Sequence, residues 1–259
     1  MANQTDAPQQ LAVLIDADNA APAIVEGLFE EIAKYGTATV KRIYGDWTKP
    51  NLGGWKQVLL DYSIQPVQQF AYTTGKNATD SSLIIDAMDL LYTRALDGFC
   101  LVSSDSDFTR LAARLREGGL TVYGFGERKT PKPLVAACDK FIYTEILRAD
   151  HDGGETAGSD GKPAGKEQAA AAGNQEKPPL KLITRVIDDI ADEEDWVHLG
   201  ALGQNINKRN PAFDTRLYGF KKLSDLLRAY PKQFEVAPVG GGNNALRVKN
   251  VRKGGGKSG

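Results

Sequence analysis

One stretch of this chain cannot belong to any hydrophobic core. From His151 to Pro179 there is no Leu, Ile, Val, Phe, Tyr, Trp, Met or Cys. Ordering a backbone costs roughly 1–2 kcal/mol per residue, and a segment of Gly, Ala, Glu, Lys, Gln and Pro buries too little to offset that. It is therefore expected to be a flexible tether. The 259-residue chain accordingly reads as two domains, 10–148 and 179–250, with a linker over 149–178. The glycine-rich end, 251–259, reads as a disordered tail.

Charge divides along the same line. Residues 1–150 carry 15 basic and 19 acidic side chains, whereas 205–259 carry 12 basic and only 3 acidic. An acidic half joined to a basic half suggests two jobs, and a basic half often meets nucleic acid. The first ten residues, MANQTDAPQQ, lack the basic-then-apolar shape of a signal peptide, and no 18-residue apolar run offers a membrane span. Cys100 and Cys138 are too few for a disulfide framework or a four-thiolate zinc site, so they read as buried thiols in a reducing cytoplasm. Only His151 and His198 occur, which removes an HExxH zinc site and a convincing Ser-His-Asp triad. Any hydrolytic chemistry must rest on carboxylates.

The first half alternates strand and helix patterns. Leu11–Ile15 is a short apolar run suited to a strand buried on both faces. Further strands are expected at Thr37–Tyr44, Ile64–Phe70, Gly98–Ser103 and Leu120–Gly124. Helices are expected at Pro22–Tyr35, Gly54–Tyr62, Asp80–Leu96 and Asp107–Glu117. Strands separated by helices pair in parallel, so the fold class is a three-layer α/β sandwich, whose ligands sit beyond the carboxyl ends of the strands.

Acidic residues fall at those ends. Asp16 closes the first strand, and Asp105 and Asp107 follow the Gly98–Ser103 strand. Asp80 opens a helix at the same angle as Leu83, Ile84 and Ala87, which turns it toward the core side near the same rim. Gathered carboxylates repel unless a cation lies between them, and Mg²⁺ or Mn²⁺, one ion or two, would suit such oxygen donors. Each acid also has a plain structural use. Asp105 or Asp107 could cap the following helix, and Asp80 suits a helix first turn. Asp89 falls on the solvated face, whereas Asp86, at the border of the apolar stripe, is a candidate to support the site, as is Ser103.

Three stretches carry a resemblance: Leu14-Ile-Asp16-Ala-Asp-Asn19, Lys76-Asn-Ala-Thr-Asp80 running on to Asp86, and Val102-Ser-Ser-Asp105-Ser-Asp107-Phe108. In order and spacing they resemble the NYN domain family of the PIN-like nuclease superfamily, over about residues 10–148. The resemblance implies a metal-dependent endoribonuclease site built on Asp16, Asp80, Asp105 and Asp107. It matches Asn19 to a polar residue after the first strand and Asp86 to a recurrent helix acid. Ser106 stands where many relatives have glycine.

The second half reads as three helices, Leu180–Ala191, one within His198–Arg209, and Phe220–Tyr230, followed by strands Phe234–Val239 and Ala245–Val251. That is the outline of a winged helix. Leu182–Ile190, Leu199-Gly-Ala-Leu-Gly203 and Tyr218-Gly-Phe-Lys-Lys222 resemble a LOTUS (OST-HTH) domain, a winged helix linked to RNA binding and protein contacts. Lys208, Arg209, Arg216, Lys221, Lys222, Arg228 and Lys232 offer phosphate contacts, with Tyr218 and Phe220 as stacking surfaces or as core. The implied partner is RNA, single-stranded or structured, with a protein partner for the second domain as the alternative.

Two features are weaker. Gly124-Phe-Gly126 before Arg128 and Lys129 reads as a turn rather than a phosphate cradle. Trp47 and Trp55 could stack bases or pack on the sheet edge.

Rival activities fit less well. A dinucleotide site would need a GxGxxG after the first strand, where Asp16-Ala-Asp-Asn stands instead. A haloacid-dehalogenase-type phosphatase is imitated by Asp16 and Asp18, but Ala20 occupies the place of its threonine. A catalytically silent RNA-binding or assembly factor is the remaining alternative.

Overall fold

The computed structural model describes residues 7–70, 78–93, 95–149, 176–239 and 245–251. The chain divides into two compact units. Residues 150–175, 240–244 and 252–259 lie outside the described residues, and with them most of the expected linker and tail.

In the first unit six parallel strands form one sheet. They are β1 (Gln10–Asp16), β2 (Thr37–Gly45), β3 (Gln65–Gln68), β4 (Gly98–Val102), β5 (Thr121–Gly126) and β6 (Lys140–Tyr143), ordered β3-β2-β1-β4-β5-β6. The helices are α1 (Val25–Ile32), α2 (Trp55–Asp61), α3 (Ala78–Thr93), α4 (Thr109–Glu117), α5 (Lys132–Ala137) and α6 (Glu145–Ala149). Central β1 and β4 are buried on both faces, as their unbroken apolar runs require. The chain winds outward from β1 to β3, then α3 returns it to β4 on the other side of β1. This reversal makes β1 and β4 the switch point of the sheet, where ligand clefts form in open α/β folds.

Helix α3 packs on β1 and β2. Leu83, Ala87 and Leu90 are its buried stripe, while Ile84, Met88 and Leu91 are half-buried. The helix ends at Thr93, short of the expected Leu96, and it begins two residues before Asp80. The expected helix at Pro22–Tyr35 is instead a 3-10 turn, Pro22–Ile24, leading into α1 and stopping at Ile32.

β6, α5 and α6 go beyond the sequence reading. The turn expected at Gly124–Gly126 is in fact the end of β5. Its glycines are there for close packing. A Cβ on Gly124 would lie 2.5 Å from the Phe141 ring and 2.6 Å from the Cys138 sulfur, and one on Gly126 would lie 2.7 Å from the Ser103 carbonyl oxygen. Gly124→Ala is expected to destabilise the first unit by about 1–3 kcal/mol through overpacking, seen as a lower denaturant midpoint at constant slope. An unchanged midpoint would show that β6 can retreat freely. Cys100 and Cys138 are buried free thiols, and burial holds the Cys138 thiol up at about 12. Among the described residues no helix is long and apolar enough to cross a membrane.

The second unit packs α7 (Leu180–Ile190), α8 (Leu199–Arg209) and α9 (Leu223–Arg228) with β7 (Val197–His198), β8 (Phe234–Pro238) and β9 (Leu246–Asn250). The strands are antiparallel in the order β7-β9-β8. Ile183, Val186 and Ile187 of α7, Leu202 and Ile206 of α8, and Leu226 and Leu227 of α9 are buried. This is the expected winged helix, with β7 as an added strand and a 3-10 turn at Thr215–Tyr218.

Candidate active site

Three of the four acids meet. One carboxylate oxygen from each of Asp80, Asp105 and Asp107 lies within 4.8 Å of the other two. Asp105 and Asp107 come from the turn after β4, Asp80 from the first turn of α3. Asp105 also fills the structural role: its Oδ1 accepts the Asp107 backbone N–H at 2.9 Å, capping the 3-10 turn that leads into α4. The cap fixes the carboxylate in place and leaves lone pairs for other partners.

Asp16 stands outside that trio, close enough for its charge to act on Asp80. At 0% exposure it is the most buried of the four. Its Oδ2 accepts hydrogen bonds from Ser103 Oγ at 2.8 Å and Asn19 Nδ2 at 2.7 Å, and its Oδ1 from the Asp18 backbone N–H at 3.1 Å. Burial raises the Asp16 carboxyl above the usual carboxylate range, against the pull of Ser103 and Asn19. Ser103 Oγ also accepts the Asp105 backbone N–H at 3.1 Å, linking the ends of β1 and β4. A carboxylate so enclosed is not displayed as a phosphatase nucleophile would have to be.

Mutual repulsion registers at Asp80. Burial, followed by the charges of Asp16, Asp105, Asp107 and Asp18, pushes its carboxyl up to about 6. Two unit charges 4–5 Å apart repel by roughly 3–4 kcal/mol at an effective dielectric near 20. Three hard oxygen donors converging under such repulsion suit a divalent cation such as Mg²⁺ or Mn²⁺.

Asp86 lies farther along α3, where its carboxylate accepts hydrogen bonds from Arg42 and from the Tyr44 hydroxyl. Both partners are on β2, and Tyr44 sits opposite Asp16 in the register. Asp86 thereby ties α3 to the sheet, and burial next to this carboxylate drives the Tyr44 hydroxyl far above its ordinary range. Neither Arg42 nor Tyr44 stood out in the sequence, since nothing local links them to Asp86. Asp89 is exposed, as its place on the helix predicts.

Some candidate base and phosphate contacts are spoken for. Trp55 is 1% exposed and belongs to the core. Trp47 donates its indole N–H to the Val67 carbonyl at 3.0 Å. Lys129 pairs with Glu127 at 2.8 Å.

In the second unit Lys208, Lys221, Lys222, Arg228 and Lys232 are exposed. Arg209 is exposed too but pairs with Asp189 at 2.6 Å. Arg216 is half-buried and forks onto Asp214, at 3.0 Å through Nε and 2.8 Å through Nη2. Tyr218 is 8% exposed and packs near Phe213, so it is core rather than a stacking surface, whereas Phe220 is half-buried. Arg247 and Lys249, which the sequence reading passed over, lie 4.3 and 4.5 Å from the Trp196 ring centroid. Their alternation on β9 was the available signal.

A parallel sheet flanked by helices, with acids collected at its switch point, defines a PIN-like α/β domain. The chain belongs to the NYN domain family, whose model matches residues 10–147, and an OST-HTH/LOTUS domain model matches residues 175–245. NYN domains are generally nucleases and LOTUS domains bind RNA, so the pair points to a nuclease and RNA-binding role. Among solved structures, the chain is similar to a protein of unknown function from Vibrio parahaemolyticus, with 21% identity over 53% of this chain and 94% of that one, at a TM-score of 0.44. An uncharacterized protein from Nitrosomonas europaea shares 32% identity over 38% of this chain and 96% of its own, at a TM-score of 0.32. No curated protein matches the chain.

Proposed function

We propose that this protein is a metal-dependent endoribonuclease: its first unit hydrolyses RNA phosphodiester bonds at internal positions, and its second unit holds the RNA. The observation that carries this reading is the convergence of the Asp80, Asp105 and Asp107 oxygens within 4.8 Å, with buried Asp16 close enough to act on Asp80. A phosphodiester is an anion, so an all-carboxylate pocket would repel its substrate without a cation. Asp80, Asp105 and Asp107 would hold Mg²⁺ or Mn²⁺, one ion or two, with Asp16 as the fourth acid. Such an ion, when bound, acidifies a water and offsets charge on the reacting phosphate.

The chain's own contribution is placement. Ser103 and Asn19 fix Asp16, the Asp107 N–H fixes Asp105, and the Arg42–Asp86–Tyr44 group fixes the helix that presents Asp80. No histidine base is needed, which agrees with a chain that has two.

The test is cleavage of end-labelled single-stranded and structured RNAs by the full chain, with Mg²⁺, with Mn²⁺ and with chelator. Cuts are expected in either metal, none in chelator, none with folded Asp105→Asn, and wild-type cutting with Glu117→Gln at the exposed far end of α4. Cleavage that survives chelator or folded Asp105→Asn overturns the mechanism. Tight RNA binding with no cutting of any RNA would mark a silent binding factor instead.

A further inference from the structure

Beside the acid cluster a groove of about 660 Å³ runs between α3 and strands β2 and β3, the latter at the sheet edge. This lies within the roughly 300–1,000 Å³ typical of sites for small organic groups. The groove begins one residue past Asp80, at Ser81 and Ser82, and continues past Ile85, with Gln65 and Gln69 on the opposite wall.

Its chemistry is that of a neutral ligand. Among the described residues the one cation in its lining, Arg42, is already paired with Asp86, and Asp89 adds a negative charge that no described cation offsets. A phosphate is therefore poorly served here. Among the described residues the side-chain amides of Gln65 and Gln69 have no hydrogen-bond partner. Each offers a donor pair and an acceptor, the combination that reads a base edge bidentately. Ile85 is 63% exposed despite its size, giving an apolar surface on which a flat ring can lie.

We propose that this groove is a nucleobase subsite: Gln65 and Gln69 read the edge of a base next to the cut phosphate, with Ile85 against its face. The proposal rests on the cleavage reading above and adds base selectivity to it. Asp89, an acceptor at the groove's far end, favours bases that carry an exocyclic amino group over uracil.

The experiment is sequencing of the cut ends produced by the full chain, with Mn²⁺, from single-stranded RNA of randomised sequence. Wild type is expected to enrich amino-bearing bases over uracil at one position beside the cut by at least fivefold. Folded Gln65→Ala/Gln69→Ala should bring that ratio below twofold, and Gln69→Glu should change which base is favoured. A purely structural role would slow all cuts alike and leave the ratio intact. A flat wild-type distribution, or a ratio unchanged in the double variant, overturns the subsite. If wild type makes no cut, the cleavage reading fails alone, and binding of labelled homopolymeric A, C, G and U decamers in Mg²⁺ decides the subsite. Affinity ratios that narrow in the double variant support it, and ratios that do not overturn it.

Discussion

Replacing Asp80 with asparagine is expected to lower RNA cleavage by roughly a thousandfold, about 4 kcal/mol of barrier, and yet to raise the melting temperature of the metal-free protein. The two effects share one cause. Asp80 is part-buried near Asp16, Asp105 and Asp107, and burial first, then those charges, push its carboxyl up to about 6. A folded-state pKa above the ordinary value of 3.8 means that the folded protein binds this proton more tightly than the unfolded chain does. The stability from that preference is fully present below the unfolded value and is lost as pH rises through the folded value. Near pH 7 the ionised side chain therefore strains the fold, and asparagine removes the strain together with a metal donor. In chelator the variant should melt about 2–4 °C above wild type at pH 7, and the gap should close toward pH 4. Added Mg²⁺ or Mn²⁺ should raise the wild-type melting temperature and leave the variant nearly unmoved. Calorimetric scans at several pH values, paired with cleavage assays, check all of this. A folded variant that cuts at the wild-type rate, or one that melts lower at pH 7, would contradict the assignment of Asp80.

How legible such a site is in sequence depends on how local its determinants are. Leu11–Ile15 could only be a strand buried on both faces, and every one of its side chains is fully buried. That placed Asp16 at a strand end, and the same logic placed Asp105 and Asp107 after β4. Asp80 was readable because helical periodicity relates it to Leu83 and Ala87 within two turns. Asn19 lies three residues from the Asp16 carboxylate that it contacts, so its role was open to local reading as well. The Arg42–Asp86–Tyr44 group was not, because it depends on α3 crossing β2, a fact of topology that no short window contains. The Gln65 and Gln69 groove was hidden for the same reason. Tyr218 and Trp55 show the opposite difficulty: an aromatic near basic or polar neighbours suits both a core and a stacking surface, and burial alone separates the two.

Neutralising Lys221, Lys222 and Arg228 together, each to glutamine, is expected to weaken RNA binding by roughly ten- to a hundredfold at low salt and to make binding less salt-dependent. Among the described residues these three cations are exposed and have no acidic partner, unlike Arg209 on Asp189 or Arg216 on Asp214. A cation already paired gains little from a phosphate, because it must give up one carboxylate to meet another anion. An unpaired one releases the counterions condensed on the RNA, and for single strands each such contact adds about 0.7 to the slope of log K against log salt. Loss of three contacts should therefore flatten that slope by about 2. The acid cluster is untouched, so the deficit should appear in KM while kcat at saturating RNA holds. Anisotropy titrations of the full chain across a salt series measure the slope, and thermal melts confirm that the second unit remains folded. An affinity and a slope identical to wild type would show that this face does not meet RNA, leaving contact with a protein as the role of the winged helix.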